Sequence, residues 1–130
     1  MDPNDLPNQI QVTISDGCSL VFSRVSSVIE PKDGRLGSLV VYEADRFLSR
    51  ADLTNVLARE GETMEGMNIA PLDPPIVSSK TACRIADFIF KRVQQTGLPE
   101  LAEATSWTIV PLKREYHNDK EIILAIHVSL

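Results

Sequence analysis

From Gln9 onward apolar and polar positions alternate: Ile10, Val12 and Ile14 fall between Gln11, Thr13 and Ser15, the period of two that a strand with one buried face requires. Ser15-Asp16-Gly17 then supplies a turn. The apolar faces of the two arms agree best if three residues form the loop, which pairs Ile14 with Cys18, Val12 with Leu20 and Ile10 with Phe22. The second strand continues through Val25 toward Ile29. Pro31-Lys32-Asp33-Gly34 turns the chain, and Leu36 to Glu43 completes a three-stranded meander. Ser26-Ser27 and Gly37-Ser38 are poor strand centres, so a bulge or break is expected there.

The spacing then changes from two to about 3.6. Ser49 is placed to cap a helix, Asp52 stands at its third position, and Leu48 can staple against Leu53. Leu53, Val56 and Leu57 form its apolar stripe, and Gly61 closes it. A second helix is predicted from about Lys80 to Gln95. Ala82, Ile85, Ala86, Ile89 and Val93 repeat at helical spacing, and Gly97 with Pro99 ends the run. Phe88 and Phe90 widen its apolar surface beyond one stripe, which suggests burial on more than one side or contact with a second subunit.

Ser106 to Leu112 and Glu121 to Val128 read as a final hairpin joined through the polar stretch Tyr116 to Lys120. Ile122, Leu124, Ile126 and Val128 fill one face of its last strand; Ile123 and Ala125 suggest cover on the other. Residues 1–8, rich in Pro and Asn, are expected to form a flexible arm, and residues 9–130 a single α+β domain. Its antiparallel sheet, an N-terminal meander plus a C-terminal hairpin, would be covered on one face by two helices.

Between the helices, GETMEGMNIAPLDPPIVSS is far longer than a usual connection, and its prolines and glycines forbid a long helix. Long loops in small domains often carry contacts. Met64, Met67, Ile69 and Leu72 in this segment, together with Trp107, are the candidate partner-binding residues; the competing reading makes the segment a surface strap pinned by Ile69, Leu72 and Ile76 and places Trp107 in the core.

Composition narrows the function classes. With 13 Lys and Arg against 18 Asp and Glu, the net charge of −5 repels polyphosphate, so nucleic acid is not an expected partner. A concentrated basic face at Lys80, Arg84, Lys91 and Arg92 would be needed to overcome it. No run approaches membrane-spanning length and the start lacks a secretory pattern, so a soluble cytoplasmic protein is expected. Cys18 and Cys83 have no CxxC partner; reduced thiols are expected, Cys18 the more accessible and Cys83 packed beside Ala82 and Ala86.

His117 and His127 are too few for a His-based zinc site, and the dispersed glycines assemble no phosphate loop, so neither metal nor cofactor is expected. Glu60, Glu62 and Glu65 form an acidic cluster that would stay hydrated.

The order of strand pair, two helices and strand pair, with Thr81-Ala82 opening a helix that reads IADFIFKRV, resembles the tunnelling-fold pterin enzymes, over about half of the chain. Their zinc-binding histidines have no counterpart in the early strands. The resemblance implies an oligomer with an intersubunit pocket, where Glu115, His127 and Cys18 would gather. The residues themselves point instead to a non-catalytic protein-interaction module, a small regulator, inhibitor or assembly subunit. It would present a sheet edge or the 61–79 segment to a protein partner, with homo-oligomerisation open to it. The alternative is a small-molecule-binding domain or enzyme of the tunnelling-fold-like oligomeric kind.

Overall fold

In the computed structural model, which describes residues 3–32, 35–112 and 119–130, the alternation that starts at Gln9 becomes β1 (Gln9–Ser15), every second residue of which turns inward. β2 (Cys18–Lys32) and β3 (Arg35–Ala44) follow as antiparallel neighbours. Pairing of Ile10 with Phe22 and Val12 with Leu20 is as the sequence predicts. The expected pairing of Ile14 with Cys18 is corrected: Ser15 stands opposite Cys18, and the register slips between Thr13 and Ser15, so Ile14 is the extra residue of a bulge. Both Ile14 and Ser15 are buried as a result. Gly17, at φ +72°, takes the left-handed conformation that lets so tight a turn close. A second bulge lies at Val25, beside the Ser26-Ser27 pair. Of the turn expected at Pro31 to Gly34, Asp33 and Gly34 lie outside the described residues.

α1 (Arg50–Arg59) begins where the capping signal places it. The Ser49 hydroxyl accepts the Asp52 backbone N–H, and Asp52 accepts the Ser49 N–H in return. α2 (Ser79–Thr96) starts from a Ser78 cap and ends at Gly97, whose φ is +79°. Ala82, Ile85, Ala86, Ile89 and Val93 are its buried face.

The C-terminal hairpin departs from expectation. β5 (Ser106–Pro111) and β7 (Leu124–Ser129) pair as predicted, but the last strand is not continuous from Glu121. Lys120–Glu121 forms a separate short strand, β6, which pairs with β4 (Ile76–Val77). The break coincides with a bond from outside the sheet: the Ile122 carbonyl accepts the Leu48 N–H at 2.8 Å instead of one from a neighbouring strand. Residues 113–118, which include Tyr116 and His117 of the predicted connection, lie outside the described residues.

The main sheet runs β1-β2-β3-β7-β5, antiparallel throughout, so the C-terminal hairpin enters beside β3 and β7 becomes an interior strand. This explains why Leu124, Ala125, Ile126 and Val128 are all fully buried. α2 touches both edge strands, β5 and β1. The sheet therefore curls around the helix, and Phe22, Tyr42, Ile126 and Ile89 meet in one apolar cluster. The segment before β1 is held against this body. Leu6 is buried, the Pro7 carbonyl accepts the Tyr42 hydroxyl at 2.7 Å, and Arg24 reaches the carbonyls of Leu6 and Pro7. Among the described residues no helix is long and apolar enough to cross a membrane.

Candidate functional site

The long connection between the helices is a strap fixed at many points. The Met67 N–H bonds the Thr63 carbonyl, the Thr63 hydroxyl accepts the Gly66 N–H, and the Ile69 N–H bonds the Met64 carbonyl. Asn68 completes this turn at φ +57°, a conformation Asn tolerates better than most residues. Farther on, the Asp73 carboxylate accepts the first backbone N–H of α1, from Arg50, at 3.1 Å, and β4 ties the strap to β6.

The candidate partner residues divide accordingly. Ile69 is buried, while Met64 and Met67 are half-buried against the core. Leu72 is 47% exposed, and its neighbour Ile76 is 38% exposed. Trp107 stands apart from the strap, near the C-terminal end of α2. It is half-buried, meets Phe90 edge-on with centroids 5.4 Å apart, and lines a shallow groove of about 590 Å³ with Gln94 and Leu98.

Beside the strap lies an apolar cavity of about 350 Å³. Its origin is the broken last strand: β6 leaves the main sheet to join β4, which opens a gap between the first turn of α2, the end of β5 and His127 within β7. Val77, Ala82, Leu112 and Ile123 supply apolar wall, and Ser78, Ser79, Cys83, Lys120, Glu121 and His127 add polar groups along its margin. Ala82 is the smallest side chain facing the gap from α2, and so leaves it unfilled. Sequence reading missed this cavity, because only the diversion of Lys120–Glu121 into a second sheet creates it.

The thiols exchange the roles expected of them. Cys18 is buried and Cys83 exposed. Cys18 points inward with Leu20 and donates to Asp52 Oδ1 at 2.7 Å; Cys83 falls beside the buried stripe of α2 rather than in it. Arg46 completes the cluster, paired with the Asp52 carboxylate and 3.7 Å from the Cys18 sulfur. Burial is the largest influence on Asp52 and works against its charge. Hydrogen bonds from Arg46, Cys18 and the Ser49 backbone outweigh burial and bring its pKa down to about 2. For Cys18, burial and the bond to Asp52 both raise the pKa, Arg46 opposing them. The thiol is thus held protonated, and the cluster anchors the start of α1 to the first hairpin.

The basic positions of α2 that nucleic-acid binding would require are largely neutralised: Arg84 pairs with Glu62, Lys91 with Asp87 and Arg92 with Asp16. Cys18, with Asp52, and His127, in the cavity wall, belong to different sites, and Glu115 lies outside the described residues. Among the described residues no three His, Cys, Asp or Glu side chains come together as a metal site. Comparison with protein-family models, with curated proteins and with solved structures gave no match, so only the chain's own residues bear on what these sites do.

Proposed function

We propose that this chain is a non-catalytic protein-interaction module that presents the 61–79 strap to a protein partner. One observation carries the reading: the strap is fixed in place, yet two of its large aliphatic side chains, Leu72 and Ile76, face solvent. A loop ordered before binding loses little further entropy on association, so its apolar contacts count almost fully toward affinity. Flexible loops lack that advantage. Buried Ile69 and Val77 act as the pins, and half-buried Met64 and Met67 cushion the strap against the core. Phe47, 39% exposed, precedes Leu48, which bonds Ile122, so a third exposed apolar side chain lies on a segment tied to the residue that follows β6.

The test is the double variant Leu72→Asp/Ile76→Asp, purified with wild type after matching circular-dichroism melts. Both are used for quantitative affinity capture from the native source and for light scattering after size exclusion. A partner, or a second copy of the chain, should bind wild type in fixed stoichiometry, re-form the complex from pure components, and lose at least about tenfold in affinity to the variant. A complex that binds both proteins equally would refute the reading. So would a wild-type protein that stays monomeric and reconstitutes no complex.

A further inference from the structure

The cavity beside the strap carries an inference separate from the strap's own role. It is lined by the first turn of α2, the end of β5, His127 within β7, and the β4–β6 pair with the two residues that follow it. Its volume of about 350 Å³ falls within the range of sites that hold metabolite-sized ligands. The wall is mostly aliphatic. Val77, Ala82 and Ile122 are buried parts of it, so the hollow reaches from the surface to the core.

His127 gives the hollow a polar handle. It is half-buried in the interior strand β7, and its ring makes no hydrogen bond to the described residues. Its ring nitrogens are not among the buried atoms left without a partner, so they open to the hollow's solvent and can exchange water for a polar group of a ligand. Cys83 lines the hollow from α2 and is exposed, which provides a reporter of occupancy.

We propose that this cavity is a binding site for a small molecule with a compact aromatic or branched aliphatic body and one hydrogen-bonding group, which His127 engages. The body covers the wall formed by Ala82, Leu112 and Ile123. The polar group takes the place of water at the imidazole.

Alkylation of Cys83 by iodoacetamide, followed by intact-mass spectrometry, tests this directly because the other thiol is buried. The probes are 4-phenylbutanol, 4-methylphenol, indole and, as a body without a polar group, indane. At ten times its Kd a cavity ligand should slow alkylation roughly tenfold by mass action and raise the melting temperature saturably. Ala82→Phe should fill the hollow and abolish both effects. Val110→Trp, at a half-buried wall position, does the same job if the first variant fails to fold. His127→Phe should weaken 4-phenylbutanol and 4-methylphenol at least about fivefold while leaving indane unchanged. The proposal is overturned if no probe protects Cys83 up to its solubility limit, if protection survives in the filled variants, or if His127→Phe weakens indane as much as the alcohols.

Discussion

Asp52 makes a prediction that can be worked through in numbers. Replacing it by Asn keeps the shape and removes the charge that Arg46 pairs with. Its single oxygen can keep only one of the two hydrogen bonds that the separate carboxylate oxygens accept, from the Ser49 N–H and from the Cys18 thiol. In the folded chain the Asp52 pKa is brought from an ordinary 3.8 down to about 2, so the unfolded chain holds more protons between those values. Stability from this group is therefore fully present above about pH 5 and disappears as pH falls through 2. At about 1.4 kcal/mol per tenfold, the shift corresponds to about 2 kcal/mol at neutral pH. That figure is an upper one, because Arg46 is 42% exposed and solvent screens its share. Urea unfolding at pH 7, 5, 4, 3 and 2.5 measures it. Wild type should exceed Asp52→Asn by 1 to about 2 kcal/mol at pH 7, and the gap should shrink as the solution is acidified. Parallel pH curves for the two proteins, or a gap that widens in acid, would show that the carboxylate's charge is not what holds α1 to the hairpin.

Other outcomes follow from burial and backbone geometry. Ile89→Ala, at the centre of the helix that the sheet encloses, should cost about 3 kcal/mol in urea unfolding, since the curled strands cannot collapse into the space. Gly97→Ala should cost about 1 kcal/mol through backbone strain alone, because φ is +79° and an added Cβ would meet nothing within 4 Å. A disulfide-reagent titration should count one fast thiol in the native protein, lost in Cys83→Ser, and a second only after unfolding, since Cys18 is buried and held protonated.

Local signals were legible in the sequence. Ser49 and Asp52 mark the start of α1, Gly97 the end of α2, and the Ile10-Val12 alternation the inward face of β1, because each depends on residues within a few positions of one another. What depended on distant partners was not. Ile122 gives its carbonyl to Leu48 where Lys120–Glu121 turns aside into a separate sheet, and this diversion opens the cavity. No pattern within the last strand announces that exchange. Likewise, the alternation of apolar faces pointed to Ile14 as the partner of Cys18, and the bulge that sets Ser15 there and buries both Ile14 and Ser15 lay outside it. The exposures of Leu72 and Ile76 followed the course of the strap, which hydrogen bonds to α1 and β6 decide.

The interior position of β7 has a kinetic consequence. Val40 of β3 pairs with Val128, so the middle of the sheet closes only when segments far apart in the chain find each other. The β1–β2–β3 meander can zip up from its turns, but until β7 arrives the inner edge of β3 has no hydrogen-bonding mate. Such long-range closure places this domain among slow folders for its size, and makes a nascent chain stalled before Leu124 an adhesive, half-built sheet.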